Sequence, residues 1–97
     1  LCYNMDMKQI TVDFLKTEPT GQITVGVIVA KVDGDNLRVI ASGNIAQRVM
    51  SDFTERNPEA NANDVIEFLT KLPARYDSAY LRALVTTSEN EEDDTQK

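Results

Sequence analysis

The chain reads as an α+β domain. It should form a two-layer sandwich in which a mostly antiparallel sheet carries two helices on one face, in the order β-β-β-α-α-β. Three observations predict this. Apolar residues alternate singly between Lys8 and Ser42, the period of half-buried strands. After Gly43 the apolar spacing lengthens to that of amphipathic helices. The single alternation then returns close to the C-terminus. Strands grouped ahead of helices suit a segregated α+β fold better than a parallel α/β fold.

The first strand is 8–15, "KQITVDFL". Ile10, Val12 and Phe14 share one face, and Gln9, Thr11 and Asp13 share the other. Pro19 and Gly21 mark the turn that follows. The second strand, 22–32, "QITVGVIVAKV", places Ile23, Val25, Val27 and Val29 on one face. Ile28, Ala30 and Val32 make its other face apolar too, as in a central strand. "NLRVIAS", 36–42, is the third strand.

The hairpin between the second and third strands has two candidate registers. A two-residue Asp-Gly turn pairs Val29 with Arg38. A three-residue loop ending in a left-handed Gly34 pairs Lys31 with Asp35, Val29 with Leu37 and Val27 with Val39. The second keeps apolar partners together and opposes a charge pair, so it is the expected register.

In 43–58, Ile45, Val49 and Phe53 recur every four residues with Ala46 and Met50 beside them, so this segment is a helix. Asn44 is the expected N-cap, with Gln47 completing a capping box. Asn57-Pro58 ends it, because the residue before proline avoids helical dihedrals. A second helix over 64–72, capped by Asn63 or Asn61, buries Val65, Phe68, Leu69 and Leu72, and Pro73 stops it.

"ARYDSAYLRALV", 74–85, supports two readings. As a strand it turns Ala79, Leu81, Ala83 and Val85 inward and Tyr76, Tyr80 and Arg82 outward. As a helix it would be capped by Asp77. Clean alternation and the β-branched "VTT" favour the strand.

Ninety-seven residues suffice for one domain, taken as 8–87. Residues 1–7 read as an extension, either upstream of the natural start or foreign to it. Residues 88–97 hold five acids and one lysine, and so carry −4 of the net −6. They read as a disordered acidic tail. The remaining body is nearly neutral and lacks the charge of a phosphate-backbone binder. No stretch is apolar enough to span a membrane. One cysteine, Cys2, allows no internal disulfide and points towards the cytoplasm.

The chain has no histidine and no phosphate-binding glycine motif. That removes Ser-His and Cys-His nucleophile systems and most zinc sites. Asp33 and Asp35 flank Gly34 as turn residues. A calcium loop would need an oxygen ligand where Leu37 stands and an acid where Asn44 stands. The seven-residue "NPEANAN" is too long for the turn of a helix-turn-helix. No cofactor, metal or catalytic residue is expected.

Two surfaces remain. Tyr76, Tyr80 and Arg82, with Arg75 adjacent, form a partner-binding candidate of the residue types that dominate interface hot spots. The plainer alternative is that the tyrosines cover the core's edge. Ile28, Ala30 and Ile40, joined by Leu15, point away from the helices in the expected register. They form a candidate homodimer face, with a free strand edge as the other route.

The expected function is a small non-enzymatic protein-interaction domain: an adaptor, regulator or inhibitor subunit. Two alternatives stand beside it. One is a small-ligand binder or minor enzyme using carboxylates and tyrosine. The other is an acidic inhibitor of a nucleic-acid-binding protein, acting through the tail.

Overall fold

The structure is a computed structural model that describes residues 7–34 and 36–90. Its elements are β1 (Met7–Glu18), β2 (Gly21–Asp33), β3 (Asn36–Ser42), α1 (Asn44–Arg56), α2 (Ala62–Thr70), α3 (Leu72–Arg75) and β4 (Leu81–Asn90). One antiparallel sheet has the strand order β3-β2-β1-β4. α1 packs on β2 and β3, α2 on β1, and α3 on β4. This is the expected α+β sandwich. The last element is a strand, and it runs past residue 87. Ser88 to Asn90 pair with Gln9 to Met7, so the tail expected from residue 88 starts no earlier than 91. Residues 1–6 and 91–97 lie outside the described residues.

The core lies between sheet and helices. Ile10, Val12 and Phe14 of β1 are fully buried. Their neighbours across the sheet are Ala30, Ile28 and Gly26 on one side and Thr87, Val85 and Ala83 on the other. Ala46, Val49, Val65, Leu69 and Leu72 close the core from the helices. Each large aliphatic side chain buried here contributes about 1.5–3 kcal/mol.

The β2 face differs from the expected one, and a bulge is the reason. Phe14 pairs with Gly26 but Leu15 pairs with Thr24, so Val25 is an extra residue on β2. Ahead of the bulge, Ile23 sits opposite Lys16 on the helix side. Beyond it, Ile28, Ala30 and Val32 face the helices, while Val27 and Val29 face away. A bulge switches strand phase and therefore splits an unbroken alternating stripe. Ile28 and Ala30 are 0% exposed in the core. They cannot form the outer dimer face assigned to them. Ile40 does face outward.

The β2–β3 hairpin is also tighter than expected. Asp33 pairs with Asn36, and Gly34 turns at φ +63°. Val29 therefore pairs with Ile40, not Leu37, and Lys31 stands opposite Arg38 instead of an aspartate. The glycine at the first turn position permits a two-residue connection, and such turns match strand twist best.

Helix α1 is capped by Gly43 and not by the Asn44–Gln47 box; no side chain caps it. Helix α2 has the capping box, at Asn61. Asp64 N–H donates to Asn61 Oδ1 at 2.9 Å, and Asn61 N–H donates to Asp64 Oδ2 at 3.1 Å. Replacing Asn61 with alanine should cost about 0.5–2 kcal/mol, read as a lower urea midpoint with an unchanged slope. An unaltered midpoint would show that the box contributes nothing. Pro73 does not stop the chain's helical path. It occupies the first turn of α3, where its missing N–H costs nothing.

Candidate interaction surface

The stretch 74–85 divides its labour. Tyr76 ends α3 and is half-buried. Its ring meets Phe14 edge-to-face at 5.5 Å and 88°. Tyr76 N–H donates to Leu72 C=O, and its own carbonyl accepts from Ala83 N–H at 3.0 Å. Tyr76 is therefore part of the core wall and does not share an outer face with Tyr80. Neither a regular strand nor a helix spans 76–80. The chain bends there, and Ser78 Oγ accepts N–H bonds from Tyr80 and Leu81.

Tyr80 is 74% exposed. Its carbonyl accepts from Thr17 N–H at 3.3 Å, so the β1–β4 ladder reaches one residue beyond the strand. Arg82 is exposed and stands opposite Leu15 on the outer side of the sheet. Arg75 is separate from both. Its guanidinium lies 5.8 Å from the Phe68 ring centroid, a cation–π contact on the helix layer. Phe68 also stacks on Phe53 at 4.2 Å. The four predicted partner residues thus fall into two groups: Tyr80 with Arg82 at the sheet's outer side, and Tyr76 with Arg75 in and on the helix layer.

No described element covers the sheet's outer face. By register, Ser42, Val27, Asp13 and Leu84 form one row across β3, β2, β1 and β4. Ile40, Val29, Thr11 and Thr86 form the next, and Arg38, Lys31, Gln9 and Ser88 the one after. Leu15 and Arg82 close the opposite end. Ile40 is 55% exposed and Leu84 44%; Val27, Val29 and Leu15 are half-buried. The apolar cluster is flanked by cations at both ends.

Lys31 and Arg38 are both exposed and directly opposite one another. Like charges so placed destabilise a strand pair. Among the described residues, the ion pairs are Lys16–Glu18 at 3.3 Å and Lys71–Glu67 at 3.0 Å; neither relieves this pair. The sequence reading missed Lys31, Arg38, Val27, Val29 and Leu84. The bulge that exposes the valines leaves no mark in apolar alternation.

The helix layer offers no comparable chemistry. An open depression of about 560 Å³ lies between the end of α1 and the start of α2, over Phe53 and Phe68. Of its three carboxylates, Asp64 is held in the capping box and Glu67 bonds Lys71, which leaves Glu59 as a single acid at an open rim. No group of three or more metal-ligating residues occurs among the described residues. No described helix is long and apolar enough to cross a membrane.

Fold and surface together define an α+β sandwich in which helices bury one side of the sheet and no described element covers the other. The chain matches no protein-family model, and no curated protein or solved structure is significantly similar to it.

Proposed function

We propose that this chain is a small non-enzymatic protein-interaction domain that engages another protein through the bare face of its sheet. The observation that carries this reading is the cluster of Ile40, Val29, Val27, Leu84 and Leu15, which no described element covers; Asp13 stands between Val27 and Leu84, and Lys31 with Arg38 at one end and Arg82 at the other flank it. A contiguous exposed apolar patch rimmed by polar groups marks a binding surface. The opposed cations indicate the partner's chemistry: an apolar surface carrying carboxylates near its edge. Tyr80, beside Arg82, supplies an aromatic anchor at the far end. The single cysteine supports a cytoplasmic setting.

The test is affinity capture from source extract, comparing wild type with an Ile40→Asp/Leu84→Asp variant and a helix-layer control, Glu55→Lys. Circular dichroism confirms each fold. A partner held by wild type and the control but lost by the face variant supports the reading. A set of captured proteins indifferent to the face variant rejects it.

Arg38→Gln gives a second check with opposite signs. Relief of the Lys31–Arg38 repulsion should raise stability by about 0.2–1 kcal/mol, while partner binding weakens. If stability and binding both fall, Arg38 is structural and the cationic end has no role in recognition.

A further inference from the structure

The two edges of the sheet are not equivalent. β3 is short, carries Arg38, and has its Ala41 carbonyl approached by the Gln47 side-chain amide at 3.4 Å. Brevity and charge are common ways of blunting an edge. β4 has ten residues. Between Ala83 and Ser88 it has no charge, proline or glycine, and its pairing with β1 is unbroken.

The hydrogen bonds show which part of β4 is open. Ala83 N–H donates to Tyr76 C=O, and Leu81 C=O accepts from Ser78 N–H. Leu81 and Ala83 therefore point their backbone groups away from β1, and a β-bridge between Asp77 and Arg82 covers this start of the edge. Tyr80, by contrast, bonds to β1 through Thr17. By strict alternation Val85, Thr87 and Glu89 point their N–H and C=O outward as well. No described segment lies beside them. Among the described residues the edge is covered up to Ala83 and free from Leu84 to Asn90.

We propose that this free edge pairs antiparallel with the same edge of a second copy, joining two sheets into one. The occupant is a second copy because the edge is complementary to itself. An incoming strand has room only from Leu84 onward, since Tyr76 occupies the place beside Ala83. β4 ends at Asn90. Setting Asn90 of the second copy opposite Leu84 fills the free edge and puts the two-fold axis at Thr87.

Thr87 then faces Thr87 of the second copy, Val85 faces Glu89, and Thr86 faces Ser88. Val85, Thr87 and Glu89 of each copy exchange both backbone groups, satisfying every free group on the edge. No like charges meet within it. Placing the axis at Val85 would require the second copy where Tyr76 already bonds Ala83, so that register is blocked. Both bare faces end on the same side of the joined sheet. The pairing uses the edge alone and does not depend on the face reading.

The test uses the full chain. Sedimentation across a concentration series should show a reversible dimer of twice the chain mass. Thr87→Lys places two cations on the axis and should weaken association about tenfold or more, with the fold intact by circular dichroism because Thr87 is exposed. In a Cys2→Ser background, Thr87→Cys should oxidise to a covalent dimer. A hydrogen-bonded antiparallel pair holds its Cα atoms about 5.5 Å apart, within disulfide span. Leu84→Cys should not cross-link. A chain that is monomeric throughout, a dimer indifferent to Thr87→Lys, or equal cross-linking at Leu84 overturns the proposal. So does a dimer abolished by Ile40→Asp but not by Thr87→Lys, which would place it on the sheet face.

Discussion

Replacing Phe14 with alanine is expected to lower the unfolding free energy by about 3–5 kcal/mol. Phe14 is fully buried on β1, in the interior of the sheet. Its neighbours across the sheet are Gly26 on β2 and Ala83 on β4, the two smallest side chains available. The ring thus fills space that neither neighbour can reclaim, so the cavity persists and the cost falls towards the upper end of the range. Tyr76 would also lose its edge-to-face partner, worth about 0.5–1.5 kcal/mol beyond area burial. Against a typical domain stability of about 5–15 kcal/mol, the variant should be marginal. Urea denaturation gives the magnitude, and near-ultraviolet dichroism should report the freed tyrosine. A loss under about 1 kcal/mol would mean that the ring does not fill the site.

That core was largely legible in the sequence. Ile10, Val12 and Phe14 alternate without interruption, and β1 contributes no bulge residue of its own, so period alone gives the buried face. Helices α1 and α2 were readable as well, whereas α3, which takes Leu72 and runs through Pro73, was not. Ile45, Val49 and Phe53 recur at helical spacing, and Val65 and Leu69 do so again. What period cannot show is a change of phase within a strand. The extra residue at Val25 adds one to the count, and every side chain after it swaps faces. Ile28 and Ala30 were assigned to the wrong side for this reason. The inserted residue is itself a valine, indistinguishable in an alternating stripe.

The surface was less legible because it depends on register between segments. Lys31 and Arg38 are ordinary solvated residues in the sequence, and only the two-residue turn at Gly34 sets them opposite each other. The chain is acidic as a whole, yet by register the outer face sets three cations, Lys31, Arg38 and Arg82, against two acids, Asp13 and Asp33. Net charge therefore misdescribes the face that a partner would meet. The pairing of Tyr76 with Tyr80 failed for a related reason. Both regular backbones place residues four apart on a common side, and the chain between α3 and β4 adopts neither.

The second large effect is expected at Gly43, where β3 gives way to α1. Gly43 has φ +92° and ψ 152°, a region open essentially to glycine and costly for any other residue by about 1–3 kcal/mol. An added Cβ would lie 2.6 Å from the Val25 carbonyl oxygen and 3.0 Å from Gly26 Cα. Both obstacles are backbone, so no rotamer change relieves them. They belong to the bulge of β2, which is where α1 comes down onto the sheet. Gly26 is tight for the same reason, its own Cβ position lying 2.7 Å from Ile45 Cγ2. Gly43→Ala should therefore cost about 3–5 kcal/mol, adding overpacking to backbone strain. Gly21→Ala is the control. Its φ is +136°, but an added Cβ meets nothing within 4 Å. Both glycines have positive φ, and Gly43 alone adds the close approach, so the loss at Gly43 should exceed that at Gly21 by about 1 kcal/mol or more. Equal losses at the two positions would show that α1 does not seat on the bulge, and that dihedral strain is the whole requirement for glycine there.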